Sequence, residues 1–333
     1  MHMDTKTFAR HSFLALVLAL GGVACGDDDT DAAGDEGGDT AGENGGENGD
    51  TNDGANSDTG GESDAGDNGG EAELKDIVDT AVGAGSFTTL AKLLGDADLV
   101  DTLKGEGPFT VFAPTDAAFE KLGAAADGLT KEQLTAVLTY HVVAGKVGSA
   151  DVKAGPVTTV SGFSAFLSTE GGVKINKATV TTPDIECTNG VIHVIDTVIL
   201  PPNLVEAAGL AGGFTQLAGA LTTAGLVETL TNPAATLTVF APTDAAFEAL
   251  PADTVADLTK EQLTGVLTYH VVGSKVLSKD LKAGAVETLN GADVTVNLTG
   301  GVKINDATVI IADVVTTNGI IHVIDKVLLP PAE

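Results

Sequence analysis

The sequence contains no tryptophan, and aromatic residues make up only 4% of it. Surfaces that read single-stranded nucleic acid by stacking need aromatic platforms, so that mode is excluded on supply alone. Positive charge is also scarce: 17 Lys and Arg stand against 47 Asp and Glu, a formal charge of −30. Such a chain repels phosphate backbones, and no nucleic-acid partner is expected. Cysteine occurs twice, as Cys25 and Cys187, too few for a disulfide scaffold. The apolar run from Phe13 to Leu20 is too short to cross a bilayer as a helix. Catalytic signatures are missing as well. There is no G-x-S-x-G elbow, no P-loop, no G-x-G-x-x-G after a strand and no H-E-x-x-H. No enzyme activity, catalytic residue, cofactor or metal site is expected.

The N-terminal segment has a definite order. Lys6 and Arg10 precede the apolar run, and Gly21, Gly22, Val23 and Ala24 lead to Cys25. Charge, apolar core and small residues in that order make a secretory signal. The segment resembles a bacterial lipoprotein signal, in which the cysteine becomes the mature N-terminus and carries the lipid. Leu usually stands three positions before that cysteine, whereas here it is Gly22. The resemblance implies a leader over 1–24, lipidation at Cys25 and a membrane as partner. With Gly26 in place of a retention-type Asp, it implies the outer membrane, lipid-anchored, with the cell surface as the expected face and the periplasmic side as the alternative.

Residues 25–70 read as a disordered acidic tether. Beyond Cys25 they consist almost wholly of Gly, Asp, Glu, Asn, Thr, Ser and Ala, with no Lys or Arg from Gly26 to Gly70. Without apolar periodicity nothing offsets the entropy of ordering. A flexible chain of this length spans ~35–40 Å end to end, and like charges extend it further. The Asp-rich pieces Asp50-Thr51-Asn52-Asp53-Gly54 and Asp64-Ala65-Gly66-Asp67 do not match the alternation of a calcium-binding loop.

The remainder repeats itself after roughly 129 residues. Val111 to Glu120 recurs unchanged as Val239 to Glu248, and Leu129 to Leu134 as Leu258 to Leu263. Tyr140-His141-Val142-Val143 recurs as Tyr269-His270-Val271-Val272. Gly171 to Asn176 recurs as Gly300 to Asn305, and Thr188 to Asp196 as Thr317 to Asp325, with Val191 replaced by Ile320. Copies of this length can each bury a core, so they read as domains over 71–202 and 203–333. Pro201-Pro202-Asn203 marks the join.

Each copy predicts helices first and strands later, an α+β arrangement. Leu74 to Leu94 carries apolar residues at helical spacing. Phe109 to Phe112 predicts a strand. Thr115 is an expected N-cap, with Asp116 favourable beside it. Thr130-x-x-Gln133 and Thr259-x-x-Gln262 predict capping boxes on helices running to the Tyr-His pairs. Gly171-Gly172 and Asn189-Gly190 predict hairpin turns.

These blocks resemble the fasciclin-like domain family. Thr110 to Phe119 is similar to its first signature box, Asn189 to Asp196 running on to Leu200-Pro201 is similar to its second, and the Tyr-His pair lies between. The resemblance covers about residues 72–331. It implies two tandem fasciclin-like domains, each a wedge-like β-sandwich with a helical layer. It also implies a non-catalytic role in adhesion or binding of an extracellular matrix protein or polysaccharide. An Asp-Ile pair before the second box, here Asp184-Ile185, and the Tyr-His region are contact positions by the same resemblance. The candidate binding residues are therefore Tyr140, His141, Asp184, Ile185, Tyr269, His270 and Asp313. The other reading of Tyr140, His141, Tyr269 and His270 is structural, with the histidine fixing helix to sheet. Structural use is also expected of His193 and His322, capping of Asp116 and Asp244, and a small half-buried place for Cys187. Two alternative functions stand beside adhesion: carriage of a small apolar ligand, lipid or pigment, and a structural role in the periplasmic envelope.

Overall fold

The computed structural model describes residues 73–123, 129–251 and 258–331. The expected leader, Cys25 and the tether to Gly70 lie outside the described residues.

The first domain opens with α1 (Ile77–Ala84), α2 (Thr88–Asp96) and α3 (Val100–Lys104), then β1 (Phe109–Pro114), α4 (Asp116–Leu122) and α5 (Lys131–Tyr140). Six strands follow: β2 (Val142–Ala144), β3 (Gly155–Thr158), β4 (Ser164–Ser168), β5 (Lys174–Ile175), β6 (Ala178–Cys187) and β7 (Gly190–Ile195). The second domain repeats the series with α6 (Leu204–Ala211), α7 (Thr215–Ala224), α8 (Val227–Thr231), β8 (Leu237–Pro242), α9 (Asp244–Glu248) and α10 (Lys260–Tyr269). Its remaining strands are β9 (Val271–Val272), β10 (Gly284–Glu287), β11 (Asp293–Asn297), β12 (Lys303–Ile304), β13 (Ala307–Val315) and β14 (Gly319–Ile324).

The helical stretch expected over Leu74–Leu94 is two helices, not one. Gly85 takes a left-handed φ of 71° as the C-cap of α1, and the chain turns before α2. The apolar period runs on through Ser86-Phe87, so spacing alone does not show the break. Thr115 caps α4 by accepting from the Ala118 amide, and both capping boxes are formed as expected.

Each domain holds one seven-stranded sheet, ordered β2-β1-β7-β6-β5-β4-β3 and β10-β11-β12-β13-β14-β8-β9. One pair in each sheet is parallel, joining β1 to β7 and β8 to β14, and every other pairing is antiparallel. Register shifts in β6 and β13 mark bulges where the long strand passes from one half of the sheet to the other. The halves close on each other as a wedge. Alternation on β1 and β7 then serves two cores. Val111, Ala113, Ile192 and Val194 face the helices with Leu90, Phe119 and Leu138. Phe112 and Ile195 face the wedge interior with Tyr140, Phe163 and Ile175. Interior strands buried on both faces explain the unbroken apolar run of the second box.

Gly190 begins β7 rather than sitting in the turn, because a Cβ there would lie 2.0 Å from the Phe109 carbonyl oxygen. Gly319 repeats the close approach, 2.6 Å from the Leu237 oxygen.

Candidate functional site

Tyr140 and His141 end α5 with their side chains inside the domain, 0% and 2% exposed. The Tyr140 hydroxyl donates to the Ser164 carbonyl at 2.9 Å and accepts from Asn176 Nδ2 at 3.0 Å. Burial pushes the phenol well above its usual range. His141 Nε2 accepts from the Ile199 amide at 3.1 Å, which leaves Nδ1–H to donate to the Val137 carbonyl at 2.8 Å. That pattern needs the neutral ring, and burial lowers its pKa to about 4. Tyr269 and His270 repeat every contact, with Asp293, Asn305, Val266 and Leu328 as partners. Tyr140, His141, Tyr269 and His270, read as candidate binding positions or as structural residues, are buried here, with their polar atoms bonded within the fold.

Asp184 sits in the β6 bulge with a left-handed φ of 59°. Its carboxylate accepts from the Ser149 amide at 2.8 Å and from the Ser149 hydroxyl, anchoring the 3-10 turn Ser149–Asp151. These bonds hold its pKa below the usual carboxylate range. The Asp184 amide donates to His193 Nδ1 at 3.2 Å, and His193 Nε2–H donates to the Val147 carbonyl at 2.9 Å. His193 is wholly buried, tilted against Phe112 at a centroid distance of 5.4 Å. Asp313, Ser278 and His322 reproduce the arrangement. The bulge thus couples a surface Asp to a core His. Asp184 remains exposed, while Ile185 is half-buried against the helical core. In the second copy Val314 is 4% exposed and Asp313 only partly so.

Other motif residues serve as clamps. Asp116 caps, but not its own helix: it accepts from the amides of Thr88 and Thr89 at 3.2 and 2.7 Å and from the Thr88 hydroxyl at 2.6 Å. Those bonds, the Thr88 hydroxyl first, lower its pKa to about 2. Asp244 does the same for Thr215 and Gln216. Asn189, read only as a turn residue, accepts from the Ile77 amide at 3.0 Å and donates to the Leu103 and Gly105 carbonyls. Asn318 repeats this on Leu204, Leu230 and Asn232. The signal for that role was available: the same Asn closes the same hairpin in both copies, where a turn alone would tolerate Asp or Gly. Cys187 is a free thiol, buried at 5% exposure rather than half-buried. Among the described residues no three His, Cys, Asp or Glu side chains gather as metal ligands.

Open space collects around α6. One cavity of about 520 Å3 runs from Asn176 and Ile199 to Glu206 and Leu210. A second, about 340 Å3, lies between α6, α7 and the sheet. A third, about 310 Å3, is lined by Pro156 and Phe166 of the first domain and by Ala208, Phe214, Ile310 and Ile311 of the second. The linings are mainly apolar, and the volumes fall in the range of small-molecule sites.

A family model described as the fasciclin domain matches residues 85–201 and 212–330. The cyanobacterium Synechocystis has two similar proteins. One, sll1735, described as uncharacterised, is 46% identical over 131 residues, covering 38% of this chain and 98% of the relative. The other, sll1483, is 49% identical over 132 residues, covering 38% and 73%. The pig transforming growth factor-beta-induced protein ig-h3 is 32% identical over 235 residues, covering 66% of this chain but 34% of its own length. A solved FAS1 domain pair from the insect cell adhesion molecule fasciclin I aligns with a TM-score of 0.49 at 20% identity, covering 74% of this chain and 98% of that one. The matched segments coincide with the two structural repeats, and the chain belongs to the fasciclin domain family, carrying two of its domains in tandem.

Proposed function

We propose that this chain is a lipid-anchored, non-catalytic protein of the bacterial outer membrane, displayed at the cell surface to bind a surface or matrix protein or polysaccharide. One observation carries the reading. The polar side chains of the repeated motifs are consumed in building the domains, and among the described residues no buried side-chain nitrogen or oxygen lacks a partner. Acid–base or nucleophilic chemistry needs a polar group poised toward an open site. Here the open cavities are lined mainly by apolar side chains, and what remains to meet a partner is exposed surface. The lipobox-like segment ending at Cys25 and the acidic stretch after it supply an anchor and reach. No helix among the described residues is long and apolar enough to cross a membrane. The test pairs protease treatment of intact cells with a Cys25→Ala variant. Shaving of the parent and release of the variant are expected. Protection until the outer membrane is broken would remove the surface role.

A second reading, carriage of a small apolar ligand, is favoured by the three cavities around α6. Ala208 lines two of them. Native mass spectrometry of the purified full chain is expected to show a bound apolar adduct that Ala208→Phe abolishes. A bare mass for the parent would end this reading.

A further inference from the structure

The two domains meet along a seam, and the repeats differ at its positions. From the first domain comes β4. Phe166, 3% exposed, packs into the core cluster of the second domain with Ala207 and Phe214. Ser164 Oγ accepts from the Val315 amide at 3.0 Å, and Val315 packs against the wedge core of the first domain. From the second domain come α6 and the bulged strand β13, with Ile310 and Ile311 lining the same seam as Pro156 and Phe166.

Matched residues on the two outward faces are of opposite character. The second-domain side of the seam uses Ala207 and Val315, with Ile310 and Ile311, 53% and 39% exposed, at its rim. The first domain carries Thr80, Thr181, Thr182 and Glu186 at the corresponding places. The first-domain side uses Ser164 and Phe166, whereas the second domain carries Asp293 and Thr295. Strand β4 accordingly begins with three buried residues, while β11 alternates buried and exposed. We infer that the tandem pair is one rigid body held by a one-way seam, and that the polar residues at the matched outer positions stop the same contact from forming between copies of the chain.

The physical reason is that this contact is head-to-tail: two different faces meet, so nothing in its geometry closes it. If the outer faces were equally apolar, each copy would add to the next as an open filament. Here the free faces would bring Asp293 and Thr295 against Thr80 and Glu186. Asp293 would be desolvated together with Glu186 and the Lys146 ammonium that pairs with it, and no large side chain would fill the space that Phe166 fills in the seam. The inference concerns the described domains alone and does not depend on the lipid anchor.

The test exchanges residues between repeats, so that each substituted side chain is one the matched position already accommodates. In the full chain, Phe166→Thr with Val315→Glu is expected to split a single calorimetric transition into two and to enlarge the radius of gyration in solution scattering. One unchanged transition at unchanged size would overturn the rigid-body half. In the reciprocal variant, Thr80→Ala, Thr181→Ile, Thr182→Ile, Glu186→Val, Asp293→Ser and Thr295→Phe are combined. Sedimentation velocity is expected to show head-to-tail species growing with concentration, while the parent stays a monomer. A monomeric variant, or a parent that self-associates, would overturn the other half.

Discussion

His141 and His270 each accept a backbone amide on one ring nitrogen and donate to a helix carbonyl from the other. Protonation would set an N–H against the Ile199 or Leu328 amide. With folded pKa values lowered to about 4, both rings are neutral in the native state while the unfolded chain takes up protons below ~6.5. Their contribution is fully present above ~6.5 and falls as the pH drops toward 4. Each is worth up to about 3 kcal/mol over that window. Urea titrations between pH 7 and 4 are expected to show the midpoint falling steadily, with His141→Gln flattening the first domain's share. Asp116 acts lower. Its pKa of about 2 means that the stability it adds is present above ~3.8 and disappears only as the pH falls toward 2. Asp116→Ala is expected to cost about 1 kcal/mol at neutral pH, the scale of a lost helix cap, seen as an earlier thermal midpoint. The sequence shows that Asp116 caps a helix, because Thr-Asp at a helix start is a local pattern. It does not show which helix, because the carboxylate reaches back 28 residues to Thr88. The Tyr-His pair was ambiguous for a related reason: rigid aromatic anchors and core aromatics share a composition, and only burial separates them.

Helices and strands follow the sequence where their signals are local. Both capping boxes, the Thr115 cap and the Gly171-Gly172 hairpin lie within a few residues of the groups they bind. The α1–α2 break does not, since Gly85 interrupts an apolar period that continues on either side. Glycines at element positions also split into two kinds. Gly190 lies where β7 passes the Phe109 carbonyl, and Gly190→Ala is expected to cost at least ~3 kcal/mol or to prevent folding. Gly219 is an exposed interior residue of α7, and a Cβ added there would meet nothing within 4 Å. Gly219→Ala is expected to stabilise the second domain by up to ~1 kcal/mol. Chemical denaturation of the two variants separates a glycine required by close approach from one that is merely tolerated.

For the whole molecule, the seam makes the repeats unequal despite their shared motifs. The bulge at Asp184 faces solvent, while β13 next to Asp313 is drawn into the contact with the first domain. A partner that recognises this bulge would meet one copy, so binding that depends on it is expected to follow a single-site isotherm, with Asp184→Ala far more damaging than Asp313→Ala in surface plasmon resonance. Equal losses would restore two equivalent sites. Deleting a whole domain is a poorer probe, because removing the second domain uncovers Phe166, which is 3% exposed in the pair. Nothing within a single repeat shows this inequality. It emerges only when Thr80, Glu186, Asp293 and Thr295 are set beside their partners across the chain.

The amide of Asn189 joins the first helix to the last hairpin across 112 residues, and β1 lies parallel to the final strand. A nascent first domain therefore has its opening helices and central strand in hand long before the piece that locks them exists. Contacts this distant in sequence slow folding. Each domain should behave as a latch thrown by its last hairpin, with the chain kept loose until β7, and in the second domain β14, is available to close it.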